Sequence, residues 1–111
     1  MKQLTNFFKI LSDETRLRIL MLLMEKELCV CEIHEVMDES QPKISKHLAK
    51  LRDNNLIIDE RKEKYVYYSL DIEEELYMHI LNEIRNNIDK FPLLKDDQSK
   101  IEEVTCRIRG K

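Results

Sequence analysis

The chain has 111 residues, the length of one domain, and a net charge of −3, with 37% charged and 42% apolar residues. One glycine, two prolines and no tryptophan are typical of a helix-rich protein rather than a low-complexity segment. The longest apolar run, Ile19 to Met24, is far shorter than a membrane span, and Met1 to Ser12 lacks the layout of a signal peptide, so we expect a cytoplasmic protein without a membrane partner.

Four helices are predicted in the first half of the chain. Apolar residues recur at helical spacing from Leu4 to Leu11, which indicates a short first helix. Ser12 is the predicted N-cap of the second helix, and Ser40, with Pro42 in the first turn, starts the fourth. The predicted ranges are about Leu4 to Leu11, Asp13 to Glu25, Val30 to Met37, and from the Ser40 cap to Asn54.

A β-hairpin and one long helix are predicted in the second half. Two apolar runs, Leu56 to Asp59 and Tyr65 to Leu70, flank the charged tip "ERKEK". A helix from about Asp71 to Lys90 carries an apolar stripe close to a heptad seam. Because this helix has little core left to cover, we expect it to pair with its copy in a second subunit. A last short helix is predicted from Ser99 to Arg109.

The order helix, short turn, helix, hairpin predicts a winged helix-turn-helix fold. The fold class is therefore mainly α with a two-stranded β-hairpin, and we expect a homodimer formed through the first helix and the long C-terminal helix. Residues 1–92 are expected to form the DNA-binding and dimerisation domain. Residues 93–111 are expected to form a C-terminal tail with a short helix.

The distribution of charge indicates a contact with nucleic acid. Residues Gln41 to Lys64 hold seven basic and four acidic residues, a local charge of +3 in an acidic protein. A solvated charged face is the alternative reading of charge alone. Basic side chains reach phosphates, whereas amides, hydroxyls and imidazoles bond to base edges or backbone. The candidate DNA-binding residues are Gln41, Lys43, Ser45, Lys46, His47 and Lys50 on the fourth helix and Arg61, Lys62 and Lys64 at the hairpin tip.

Cysteine spacing raises a geometric question. In a reducing compartment, Cys29, Cys31 and Cys106 indicate metal-binding or reactive thiols sooner than a disulfide framework. Residues i and i+2 of an intact helix point about 200° apart, so two thiols so placed cannot reach one ion together. Binding is therefore expected to distort the first turn of the third helix, which suits a switch in which DNA and ion favour different shapes.

Three stretches of the chain resemble the arsenical-resistance repressors of the ArsR/SmtB family: "FKILSDETRLRILMLL", "ELCVCEIHEVMDESQPKISKHLAKLR" and "VYYSL". The resemblance runs from about Leu4 to about Leu70. It implies a metal-binding repressor of transcription in arsenic resistance, which binds inverted-repeat operator DNA as a homodimer and releases it when a thiophilic ion binds. Two departures are visible: His34 stands where a third cysteine commonly follows, and the hairpin tip has no glycine.

The resemblance implies that Cys29 and Cys31 bind As(III) or Sb(III), which prefer three soft ligands. The third ligand stays open between Cys106, delivered by the tail, and His34, one helical turn after Cys31. A set of two cysteines and a histidine would suit zinc or cadmium better, so Cd, Pb and Zn stay open as alternatives to As(III) and Sb(III). A buried tail cysteine and a hydrogen-bonded surface histidine are the competing structural roles.

A second function on the same scaffold is a redox or sulfide sensor in which Cys106 pairs with Cys29 or Cys31. An enzyme such as a thiol oxidoreductase would need C-x-x-C spacing or a cleft with an acid-base pair, and this sequence has C-x-C and no second group of candidate catalytic residues. We therefore expect the protein not to be an enzyme.

Overall fold

The computed structural model describes residues 1–110, and the core of this part of the chain lies between its helices and a small sheet. No helix in these residues is both long enough and apolar enough to span a membrane. The elements are α1 (Lys2–Leu11), α2 (Glu14–Leu23), β1 (Leu28–Cys29), α3 (Val30–Met37), α4 (Gln41–Asp53), β2 (Ile57–Lys62), β3 (Tyr65–Leu70), α5 (Glu75–Asn86), a 3-10 turn (Ile88–Lys90) and α6 (Pro92–Arg109).

The cap of α2 is Asp13, and the prediction of Ser12 is wrong. The Asp13 carboxylate accepts a hydrogen bond from the Arg16 backbone N–H at 3.0 Å. Ser12 instead donates its hydroxyl to the Lys9 carbonyl at 2.7 Å and closes α1. A carboxylate at an N-terminus gains from the helix dipole as well as from the hydrogen bond, which favours Asp13 over its neighbour.

The α3–α4 pair confirms the predicted helix-turn-helix. Helix α3 has the predicted bounds, and Ser40 caps α4 by accepting from the Lys43 N–H at 3.4 Å, with Pro42 in the first turn. Asp38, between the helices, has φ 55 and ψ 46, a left-handed conformation that ends α3. One face of α4 is fully buried and carries Ile44, Leu48 and Leu51.

The sheet has three strands in the order β1-β3-β2, where the sequence predicted a two-stranded hairpin. The additional strand β1 pairs antiparallel with β3, with Leu28 opposite Tyr68 and Cys29 opposite Tyr67. A strand of two residues is too short to show alternation, so the sequence gives no signal for it. The sheet therefore reaches the start of α3.

The turn of the hairpin contains fewer residues than the predicted tip, residues 60–64. Strand β2 continues to Lys62, and the chain turns at Glu63, whose φ of 57 is left-handed. Glycine adopts this conformation at the lowest cost, and glutamate fills the position here.

The predicted long helix from Asp71 to Lys90 is wrong. Asp71 donates its N–H to the Leu56 carbonyl at 2.9 Å, and Glu74 caps α5, which has only 12 residues. Pro92 does not simply follow a helix but lies in the first turn of α6, where its missing N–H costs nothing. The predicted short helix is therefore the second part of an 18-residue helix. The predicted tail corresponds to α6 and Gly110, and its last residue, Lys111, lies outside the described residues.

Helix α6 packs on α2 and α3 through buried apolar residues, and a buried ion pair joins it to α2. The Arg18 guanidinium donates to both carboxylate oxygens of Asp97, at 2.8 and 2.9 Å, and to the carbonyl of Met37 at 3.2 Å. Arg18 and Asp97 are only 7% and 2% exposed. The pair therefore joins α2, α6 and the C-terminal end of α3 at one point.

We predict that Asp97→Ala lowers the free energy of unfolding by about 3 kcal/mol, because a buried guanidinium loses its bidentate partner and keeps only the Glu39 carboxylate at 3.7 Å. Urea titration at a fixed protein concentration measures this change. Asp96→Ala is the matched control, since its pair with Lys100 is exposed and should contribute less than about 1 kcal/mol. Equal midpoints for the two variants would contradict the assigned role of Asp97.

Candidate thiol site and nucleic-acid interface

Cys29 belongs to two elements at once. It is the last residue of β1 and the N-cap of α3, with extended backbone angles of φ −92 and ψ 169. Only Cys31 has helical geometry, so the separation of about 200° expected for two residues of one helix does not describe this pair. The structure adds a different obstacle to a shared ion: Cys29 is 2% exposed, while Cys31 is half-buried.

Burial keeps the Cys29 thiol neutral. Its pKa is raised from 9.0 to about 11, chiefly because burial penalises the thiolate, while the Glu32 backbone N–H opposes the shift and the Glu32 and Cys31 charges add to it. The helix start alone would lower this pKa. A ligand at Cys29 therefore meets a protonated sulfur at neutral pH.

Glu32 and Arg109 form a polar cluster at the same junction. Glu32 is 0% exposed, and its carboxylate accepts the Cys29 backbone N–H at 3.0 Å. The Arg109 guanidinium donates to both oxygens of that carboxylate, at 2.7 and 3.0 Å, and to the Glu27 carbonyl at 2.7 Å. The same guanidinium lies 5.0 Å from the centroid of the Tyr67 ring.

Sequence reasoning missed this cluster. The spacing of Cys29 and Glu32 is that of a capping box, a local signal that the sequence does contain. Arg109 is 77 residues from Glu32, and no local pattern connects them.

The two candidates for a third ligand do not join the cysteine pair within this chain. Cys106 is exposed on α6, with its sulfur 3.5 Å from Glu102 Oε2. His34 Nδ1 lies 3.2 Å from the Glu39 carbonyl, and its Nε2 lies 3.2 Å from Gln41 Nε2. In residues 1–110, no three His, Cys, Asp or Glu side chains come together as a group able to hold a metal ion.

The His34 contacts assign its tautomer and its structural role. A carbonyl can only accept, so Nδ1 carries the proton and donates to Glu39, and Nε2 accepts from the Gln41 amide. His34 thereby connects α3 to the first residue of α4.

Four candidate DNA-binding cations are exposed and make no salt bridge with a carboxylate of the described residues: Lys46 and Lys50 on α4, and Arg61 and Lys64 on the wing formed by β2 and β3. Ser45 is exposed beside them, and Lys43 pairs with Glu39 at 3.1 Å. Lys62 pairs instead with Glu27 at 2.6 Å, which connects the wing to the segment before β1.

His47 is less exposed than the other candidate DNA-binding residues of α4. Its Nδ1 lies 3.9 Å from Asp13 Oδ1, and its side chain is 14% exposed. Burial lowers the pKa of His47, although the Asp13 carboxylate opposes this, so the ring is neutral at pH 7. His47 therefore contacts the start of α2, whereas Ser45 and Lys46 point to solvent.

The comparisons with known proteins agree with this arrangement. Residues 13–59, which hold α2, α3 and α4, match the helix-turn-helix model described as bacterial regulatory protein, arsR family. The arsenical resistance operon repressor of Escherichia coli (strain K12) is 56% identical over 64 residues, 57% of this chain and 55% of that protein. The chain thus spans about half the length of this relative.

A second relative and a solved structure extend the match. The arsenical resistance operon repressor of Staphylococcus xylosus is 38% identical over 88 residues, 79% of this chain and 79% of that protein. The solved structure of reduced HlyU from Vibrio cholerae N16961 has a TM-score of 0.70 and 27% identity, and the match covers 77% of this chain and 87% of that one. These matches confirm the resemblance seen in the sequence, and the chain belongs to the arsR family of bacterial regulatory proteins.

Proposed function

We propose that the protein is a homodimeric transcriptional repressor that binds inverted-repeat operator DNA and releases it when As(III) or Sb(III) binds Cys29 and Cys31. The observation that carries this proposal is the position of Cys29, which lies at the joint between the wing sheet and the helix that supports α4. A ligand on Cys29 acts on both DNA-binding elements through this single joint.

The surface of α4 and the wing supports DNA as the partner. With one face of α4 buried, its other face is free to enter the major groove, as the second helix of this motif does. Exposed cations without a carboxylate partner are available to bind phosphates, and such contacts give affinity that does not depend on the DNA sequence. Gln41 and Ser45, near the start of α4, are the proposed base-reading residues, and Lys46, Lys50, Arg61 and Lys64 are the proposed phosphate contacts.

Exposed apolar side chains support a dimer. Helices α1 and α5 pack together through Phe7 and Tyr77, whose rings stack with centroids 4.0 Å apart. Beside them Phe8 and Leu76 are 48% and 50% exposed, and Phe91 and Leu93 follow at 44% and 40%. Contiguous exposed apolar patches are typical of interfaces, and we propose that these four side chains form one that a second copy covers.

The donor set fits a thiophilic ion. Thiolates are the ligands that arsenic and antimony prefer, and their short bonds would hold the sulfurs roughly 3.5 to 4 Å apart. Both ring nitrogens of His34 already have hydrogen-bond partners, whereas Cys106 is exposed. We therefore propose Cys106 of a second copy as the third ligand, and His34→Ala tests the alternative.

Protonated thiols favour arsenite over a divalent cation. Each S–H proton leaves with one hydroxide of As(OH)3 as water while an As–S bond replaces an As–O bond, with no change of oxidation state. A cation such as Cd2+ must instead release the proton to solvent. A Cys29 pKa of about 11 thus penalises Cd2+ and leaves arsenite exchange nearly unaffected.

We predict that arsenite lowers operator affinity of the reduced wild type about 30- to 150-fold, the size of a typical allosteric coupling. Fluorescence anisotropy would measure it on a duplex that the protein selects from a random library, with arsenite, antimonite, Cd2+, Pb2+ and Zn2+ in turn. Arsenite should not release the Cys29→Ser and Cys31→Ser variants from the operator. It should lower the operator affinity of Cys106→Ser only weakly, and that of His34→Ala as much as that of the wild type.

Each variant has an outcome that counts against the proposal. A Cys29→Ser protein that arsenite still releases would refute the thiol site, and a wild-type response by Cys106→Ser would remove the tail ligand. Loss of only the Zn2+ or Cd2+ response in His34→Ala would change the proposed ion. Release by peroxide, with none by arsenite, would favour the redox sensor.

We predict that Cd2+ and arsenite differ in pH dependence between about pH 6.5 and 8. Because the Cys29 pKa lies above this window, Cd2+ affinity should rise with pH by up to about tenfold per unit for this proton alone. Arsenite affinity should change little, since its hydroxides take up the protons. Calorimetry in buffers of different ionisation enthalpy counts the protons, and Cys29→Ser should release about one fewer with Cd2+. An unchanged proton count in that variant would contradict the neutral thiol.

A further inference from the structure

The last turn of α6 contacts the start of α3 through side chains that are not among the proposed DNA and ion contacts. Arg109 is the residue that makes this contact, through two hydrogen bonds to Glu32, one to the Glu27 carbonyl and the face of Tyr67. These three partners surround Cys29: one follows it on α3, one precedes β1, and Tyr67 lies opposite it in the sheet.

We propose that Arg109 is a positioning residue for the thiol site, and that its ion pair with Glu32 holds the β1–α3 junction in the shape that binds DNA. The inference rests on the proposed function and adds the C-terminal helix to the switch. Opening the pair favours the shape in which Cys29 and Cys31 share a ligand.

Because Glu32 is buried, the stability of its pair with Arg109 depends on where the backbone of Cys29 lies. A carboxylate that is 0% exposed needs hydrogen bonds for both of its oxygens, and the Cys29 N–H and the Arg109 guanidinium supply them. Oε1 accepts from both donors at once, so a shift of the Cys29 backbone removes a hydrogen bond from a buried charge. The cost of that loss opposes any movement of the junction.

The burial of Cys29 requires such a movement. Its sulfur must leave a site that is 2% exposed to meet a ligand shared with the half-buried Cys31. The junction that must open for this is the one that Arg109 connects to the wing and to α6. The pair therefore stabilises the closed junction, and the binding of a thiophilic ligand must overcome this stabilisation.

A second ion pair between the same two helices provides the control. Arg107 Nη2 lies 3.3 Å from Glu35 Oε2, with side chains 51% and 44% exposed. This pair also joins α6 to α3, but no hydrogen bond connects it to Cys29. Its removal tests whether any contact between the helices has the same effect.

The test compares Glu32→Gln/Arg109→Met with Glu35→Gln/Arg107→Met in the full-length chain. Both double variants keep the net charge of the wild type, and the amide oxygen that Glu32→Gln introduces can still accept the Cys29 N–H. Mass spectrometry would follow the alkylation of Cys29 by iodoacetamide, and anisotropy would follow operator binding with and without sodium arsenite.

In the Glu32/Arg109 variant we expect Cys29 alkylation to be about tenfold faster, half-release to need about tenfold less arsenite, and operator affinity without arsenite to fall by a similar factor. The control pair should match wild type in all three. Opposite changes in DNA and arsenite affinity are the signature of a shifted equilibrium, which a loss of structure does not produce.

Three results would overturn the inference: no change in the Glu32/Arg109 variant, equal changes in both variants, or weaker binding of both DNA and arsenite. If the double variant fails to fold, Arg109→Lys decides, since it keeps the charge and loses the bidentate geometry; wild-type alkylation of its Cys29 would refute the role. If arsenite fails to release the wild type, the proposed function fails, while alkylation and operator affinity still test Arg109.

Discussion

Helix α3 is held at both ends by an arginine that pairs with a buried carboxylate, and the rest of the site depends on this restraint. At its C-terminal end Arg18 binds Asp97 and the Met37 carbonyl, and at its N-terminal end Arg109 binds Glu32. Each pair includes one residue of α6. Buried ion pairs add little net stability over apolar packing, but they penalise every geometry in which the partners separate. Helix α6 therefore fixes where α3 lies, and α3 in turn fixes α4.

The joint at Cys29 explains how a small ligand can affect a large surface. Cys29 belongs to the sheet that includes the wing strands, and it also caps α3, the first helix of the helix-turn-helix. Packed elements respond to a local shift by moving between discrete arrangements rather than by bending smoothly. In the proposed complex the wing and α4 contact adjacent parts of a DNA duplex, and a shift at the joint would change their relative position there. Neither element needs to unfold for the surface to lose its fit to the duplex.

The sequence predicted the elements that are specified locally. The Ser40 cap, Pro42 and the stripe of Ile44, Leu48 and Leu51 specify α4 within one stretch of chain, and the bounds of α3 were predicted in the same way. The strand and the ion pairs that the sequence did not predict come from interactions over distance. Strand β1 exists only because β3 lies beside it, and the Arg18–Asp97 and Glu32–Arg109 pairs span 79 and 77 residues. Pro92 shows a different limit, because the same residue type can follow one helix or begin the next. Whether the candidate DNA and ion residues act as proposed stays a prediction.

His34 shows why the third ligand matters for how release would occur. Its Nε2 accepts the amide of Gln41, the first residue of α4, and Nδ1 donates to the Glu39 carbonyl in the turn before it. An ion that took Nε2 would displace Gln41 and act on α4 directly, without any change at the wing. An ion held by Cys29, Cys31 and a sulfur from another copy would leave the His34 contacts in place and act through β1, β3 and the start of α3. The two ligand sets thus differ in the element that moves first, and the Glu32–Arg109 pair opposes only the second. The hydrogen bonds of His34 within the helix-turn-helix and the buried, neutral thiol of Cys29 at the sheet support the second route, which is the one we propose.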